Sequence, residues 1–124
     1  MGSISALSDN TKDLTIVTAK GRLKAEEFIE WLKAYYAGEV TRFILWDLTQ
    51  ADLSSITSEE IEAHAKFFNQ LAGPRMGGRS AFVFDSALGY GLGRMYQALS
   101  EIERVPIDFQ IFWSIDDARQ WLGV

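Results

Sequence analysis

The chain has no cysteine, a single histidine and only two prolines. Without cysteine there are no disulfides, thiolate zinc sites, iron–sulfur clusters or thiol nucleophiles, and a reducing compartment is the natural setting. The lone histidine, His64, is accompanied by neither a Gly-x-Ser-x-Gly elbow nor a His-Glu-x-x-His pair, so triad and zinc-hydrolase chemistry have no support. No apolar run approaches the roughly 20 residues that span a bilayer. The start, Met-Gly-Ser-Ile-Ser-Ala, has no segment of signal-peptide character, and Ala6 stands where a myristoylation signal needs Ser or Thr. A soluble, cytoplasmic protein is expected. Positive charge is also in short supply: 12 basic against 17 acidic side chains leave a net charge of −5, which repels nucleic acid and anionic membranes.

What is present is apolar, aromatic and regularly spaced. With 124 residues and 48% apolar content the chain fits one domain, residues 1–124, with enough core to need no staple. Residues 4–7 and 14–19 read as two strands, and Asp9-Asn10 between them can close a hairpin. From Lys24 to Tyr36, Phe28, Leu32 and Tyr35 recur at helical spacing, with Gly38 as a stop. The run "VTRFILWDLT" is continuously apolar, as in a strand covered on both faces, and Asp47 is expected to mark its end. Thr57 followed by Glu60 forms a capping box for a helix that carries Ile61, Ala65, Phe68 and Leu71 inward and stops at Gly73-Pro74. "RSAFVFDS" is the next strand, and a helix from about Leu92 to Glu103 follows. After Pro106 comes the strand "IDFQIFW", then a short helix capped by Ser114, with Asp116 and Asp117 in its first turn.

Strands alternating with helices imply an α/β fold: a single-layer, mainly parallel sheet of four to five strands with an antiparallel N-terminal strand, flanked by about four helices. Ligands of such sheets settle outside the carboxyl ends of the strands, which directs attention to Asp47, Asp85, Ser114 and the segments 48–57 and 86–94.

The stretches "TIVTAKGRLKAEEFIEWL" and "RFILWDLTQADLSSITSEEI" resemble the first two blocks of a STAS domain, the fold of bacterial anti-sigma-factor antagonists. "FQIFWSIDDARQWL" is similar to the ending of small SpoIIAA-like proteins. Together they span most of Thr15 to Leu122. The resemblance implies a non-catalytic regulatory module that binds a protein partner. It also implies a phosphorylatable serine in an Asp-Ser-Ser/Thr-Gly stretch after the Asp-Leu strand. The corresponding "DLSSITSEEI" lacks that motif and offers only Thr57, Ser55 and Ser54 as phospho-switch candidates, with Thr57 already serving as a cap. A phosphate there would meet the positive end of a helix dipole.

The glycine segment "FDSALGYGLGRM" follows a strand and precedes a helix, which raises the question of a phosphate loop. Gly89-Tyr-Gly91-Leu-Gly93 is one residue short of a dinucleotide fingerprint, follows a late strand and has no Gly-Lys-Ser/Thr. The plainer reading gives Gly89 and Gly91 to a turn and Gly93 to close helix packing. Tyr90 and Arg94 on this turn are then candidates for contact with a partner or ligand, alongside Asp47 and Asp85 at the strand ends. A Mg²⁺ site built from Asp47 and Asp85 with Asp116 or Asp117 is less economical than caps and turns, so no metal or cofactor is expected. Arg75 and Arg79 should lie at the opposite edge of the sheet.

Sixteen of the 124 residues are aromatic, more than a core of this size requires. The surplus suits a homodimer or partner interface, or an apolar pocket beneath a helix. The resemblance adds weight to the pocket, because the SpoIIAA-like fold is similar to a lipid-binding module, although this chain is too compact to enclose a whole lipid. The function expected first is thus a protein-interaction or regulatory module. The alternative is a binder of a small apolar or anionic ligand at the carboxyl edge of the sheet.

Overall fold

The amino-terminal hairpin closes as its turn residues require. Strands β1 (Ser3–Asp9) and β2 (Leu14–Arg22) pair antiparallel, with Ser3 opposite Lys20 and Asp9 opposite Leu14. The Asp9 carboxylate accepts hydrogen bonds from the Thr11 N–H and hydroxyl across the turn, an Asx arrangement that substitutes for backbone pairing. In this computed structural model, which describes residues 2–124, three further strands add in parallel: β3 (Phe43–Asp52), β4 (Arg79–Val83) and β5 (Asp108–Phe112). The sheet order is β1-β2-β3-β4-β5. Four helices connect or follow the strands: α1 (Ala25–Tyr36), α2 (Ser58–Leu71), α3 (Ala87–Ile102) and α4 (Ile115–Leu122).

Side-chain alternation along the strands separates two cores. Val17 and Ala19 of β2, Ile44, Trp46 and Leu48 of β3, and Phe109 of β5 point toward one face, with Leu32 of α1 and Phe68 of α2. Leu14, Leu45, Ala81 and Val83 point to the other face and meet Ala118 and Leu122 of α4. Helix α4 packs on β3, β4 and β5, so β1 lies beyond its cover and Leu7 is 80% exposed. The helix starts follow local chemistry. Thr57 Oγ1 accepts from the Glu60 N–H at 3.1 Å while Glu60 Oε1 accepts from the Thr57 N–H at 3.0 Å, and Ser114 caps α4 through the Asp117 N–H.

Three expectations require correction. Asp47 does not end its strand. Thr18 pairs with Asp47 but Lys20 pairs with Gln50, so β3 carries one extra residue at this point and continues to Asp52. Asp47 Oδ1 holds that bulge by accepting from the Thr49 N–H at 3.1 Å and the Thr49 hydroxyl at 2.6 Å. Gly38 does not terminate α1 as a left-handed cap; Ala37 closes the helix in right-handed conformation.

The glycine segment, finally, is not a turn. Helix α3 begins at Ala87, capped by Ser86, whose Oγ accepts from the Gly89 N–H at 3.0 Å. All three glycines are therefore helical. Gly89 and Gly93 are four apart and lie on one face, against Phe84: a Cβ on Gly89 would stand 2.8 Å from its ring, and one on Gly93 would collide with the ring and meet Ile111. Gly91 faces open space. The close approach expected at Gly93 is present, and Gly89 shares it. Glycine is here a packing requirement, with helical backbone angles throughout.

Candidate functional site

The start of α3 brings Tyr90 beside the end of β5. The Tyr90 ring stacks on Trp113 with centroids 4.3 Å apart and planes 2° from parallel. Trp113 stays 55% exposed and Leu88 52% exposed. Arg94, one turn after Tyr90, is exposed and makes no ion pair among the described residues. The outcome is an apolar, aromatic and cationic surface at the carboxyl edge of the sheet, carried by a helix whose position is set by Gly89 and Gly93. Trp113, which the sequence offers only as the last residue of the stretch "IDFQIFW", belongs to this surface and lies just past the end of β5. The signal lay in its place, one residue before the Ser114 cap, where the strand has already left its cover.

The remaining candidate residues are dispersed. Asp85 is exposed immediately before the Ser86 cap. Asp47 lies within β3, beside Val83, and is occupied by Thr49. Ser55 Oγ accepts from Arg22 Nε at 3.1 Å, Ser54 donates its N–H to Asp52, and Thr57 is bound in the capping box. Among the described residues, no three or more Asp, Glu or His side chains are grouped to hold an ion.

Between the helices and the sheet lies a cavity of about 110 Å³. Its walls come from α1 (Phe28, Leu32, Tyr36), α2 (Ile61, His64, Phe68), α3 (Leu92, Tyr96) and the sheet (Trp46, Phe82, Phe109). The aromatic residues are thus divided: half of them line this space, and the Tyr90–Trp113 stack remains outside. His64 and Tyr96 form a polar pair in the wall, with His64 Nδ1 2.9 Å from the Tyr96 hydroxyl and the rings edge to face at 5.1 Å. Burial lowers the His64 pKa to about 4 and raises that of Tyr96 well above the usual phenol range. At neutral pH the imidazole is therefore uncharged.

The amino edge is organised around Arg75, which is 3% exposed. It lies in a single 3-10 turn, Gly73–Arg75, and donates all five of its N–H groups. Nε donates to the Thr41 carbonyl at 2.8 Å. Nη1 donates to the Tyr36 hydroxyl at 3.1 Å and the Ser80 hydroxyl at 3.0 Å, and Nη2 donates to the Arg42 and Arg79 carbonyls, each at 3.0 Å. Burial raises the Tyr36 pKa, with Arg75 opposing the effect. As expected, Arg75 and Arg94 lie at opposite ends of the molecule, but the burial of Arg75 left no trace in the local sequence.

No protein-family model matches the chain, and no curated protein matches it by sequence. Two solved structures share its architecture. One is an uncharacterized protein of the DUF3478 family with a SpoIIAA-like fold from Shewanella loihica PV-4, at 20% identity and a TM-score of 0.60, over 98% of this chain and 93% of that one. The other is an anti-sigma factor antagonist from Mycobacterium paratuberculosis, at 14% identity and a TM-score of 0.63, over 100% and 96% of the two chains. Superposition over nearly the whole of both chains establishes a SpoIIAA-like α/β fold, and at identities this low the likeness is one of fold alone.

Proposed function

We propose that the protein is a non-catalytic regulatory module that binds a protein partner through the surface where α3 begins and β5 ends. The observation that carries this reading is the exposed Trp113 stacked on a half-buried Tyr90, with Arg94 one helical turn away. Tyr, Trp and Arg are the residue types that dominate binding energy at protein interfaces. Two rings already fixed against each other lose little further freedom on binding. The similarity in fold to an anti-sigma factor antagonist supports the same class of function. The chemistry of the side chains points away from catalysis. The only imidazole is neutral and hydrogen-bonded in a wall, Asp47 is engaged in a bulge, and Asp85 lies in solvent.

In this reading the hydroxyls before α2 are architecture. Thr57 holds the first turn through the Glu60 N–H and Ser55 receives Arg22, so Thr57→Glu should leave partner binding unchanged. No helix among the described residues is long and apolar enough to cross a membrane, and the absence of cysteine suits the cytoplasm.

The test is native mass spectrometry of the protein recovered from its own host, compared with an Arg94→Ala, Trp113→Ala variant. The wild type should carry a stoichiometric protein partner, or a second copy of itself, which the folded variant loses. A partner retained by the variant would overturn the assignment of the surface.

A further inference from the structure

Protein interiors are close-packed and hold few voids larger than a water molecule. The 110 Å³ space beneath α1, α2 and α3 is therefore out of proportion for a domain of this size. It cannot easily collapse. Trp46 packs edge to face with Trp31, Phe82 stacks on Phe109, and Tyr96 meets both Phe82 and Phe109, so the walls are rigid rings braced by other rings. The half-buried lining residues include Ile56 just before α2, Glu60 and Ile61 in its first turns and Leu92 on α3, which gives a way in between these helices.

The polar groups of the lining define what can enter. The Arg75 guanidinium offers nothing, because its five donors are all engaged. Glu60 carries the only other full charge, and it disfavours an anion near the entrance. A cation would have to leave water for a wall of hydrocarbon. The Tyr36 and Ser80 hydroxyls already accept from Arg75, and the polar atom with no partner at all is the second ring nitrogen of His64: Nδ1 is taken by Tyr96, and Nε2 has no partner within the protein.

We propose that this cavity is a binding site for a small uncharged ring, aromatic or alicyclic, with at most one hydrogen-bonding substituent, which pairs with His64 Nε2. A space of about 150 Å³ lined by aliphatic and aromatic side chains is known to take up benzene, so this smaller space admits about six non-hydrogen atoms, with a single substituent directed toward the opening. A lipid or a drug-sized molecule needs a pocket several times larger, about 300 Å³ or more. This site is separate from the Tyr90–Trp113 surface, and either can fail without the other.

The test is titration of the wild-type protein with benzene, phenol and benzoate, followed by backbone amide NMR. Benzene and phenol should give saturable shifts confined to residues around 61–68 and 92–96, with a dissociation constant on the order of 1 mM or tighter. Benzoate should bind at least about tenfold more weakly than phenol, since its charge must be desolvated. Leu92→Trp, which fills the space, should abolish binding while the circular dichroism spectrum is kept. The proposal falls if neither neutral ring saturates, if benzoate matches phenol, or if folded Leu92→Trp binds as the wild type does. Should Leu92→Trp fail to fold, the wild-type titration decides alone.

Discussion

The two edges of the sheet each present an arginine, and the two differ in every respect that separates architecture from binding. At the amino edge Arg75 is buried with five donors in hydrogen bonds to three carbonyls and two hydroxyls. Beside it, Thr15, Thr41 and Tyr35 pass hydrogen bonds along the ends of β2 and β3. Each of these groups has a partner, so none of them remains free for a ligand. At the carboxyl edge Arg94 is exposed, and Trp113, stacked on the half-buried Tyr90, faces solvent. A buried charge persists only where its donors are satisfied, and a satisfied group has no capacity for recognition. Capacity to bind lies where satisfaction is incomplete.

The largest test of this contrast is Arg75→Met. Loss of the guanidinium leaves two hydroxyls and three carbonyls of the amino edge without their donor, which should cost about 3–5 kcal/mol in urea unfolding. Arg75→Lys should recover little of it, since an ammonium has three donors and no planar fork. An effect below about 1 kcal/mol would mean that the amino edge is held by something else.

The cavity wall between the edges should show itself in pH dependence. The His64 pKa is about 4 in the folded protein against an ordinary 6.5, so between these values the unfolded chain binds a proton that the native state refuses. Stability should be level above pH 6.5 and fall by about 3 kcal/mol as the pH drops toward 4. In His64→Phe that part of the slope should vanish, as measured by thermal unfolding across the same range.

Smaller effects sharpen the description of the carboxyl edge. Gly93→Ala should destabilise by about 1–3 kcal/mol, because the new methyl meets the Phe84 ring. Gly91→Ala, which meets nothing, should instead stabilise by up to about 1 kcal/mol by removing a glycine from a helix. Smallest in stability is Arg94→Ala, expected within about 0.5 kcal/mol of wild type in denaturant unfolding. Its effect should appear in partner binding, weakened by about tenfold or more. If Arg94→Ala destabilised as much as Arg75→Met, the two edges would not differ in the way described.

Much of the fold was legible from local rules. The Thr57–Glu60 box, the Ser114 cap, the Asp9 turn and the spacing of Phe28, Leu32 and Tyr35 each depend on residues within one or two turns of one another. The candidate site was legible in part: Tyr90 and Arg94 stood out, whereas Trp113 did not, since its stacking partner lies 23 positions away in the chain.

The sequence by itself determined the kind and order of the elements, the antiparallel start and the parallel remainder, because period, caps and turn residues act over short range. Only the tertiary structure decided where α3 begins, what Asp47 does and which arginine is buried. Gly89 and Gly91 read as a turn until Phe84 is placed against Gly89 and the helix is seen to start before both. Asp47 reads as a strand end until β2 is paired beside it and a bulge is needed. Arg75 becomes a staple only once Tyr36, Thr41 and Ser80 arrive from other elements. Each depends on atoms distant in the chain, and the free energy of such contacts exists only after the sheet has formed.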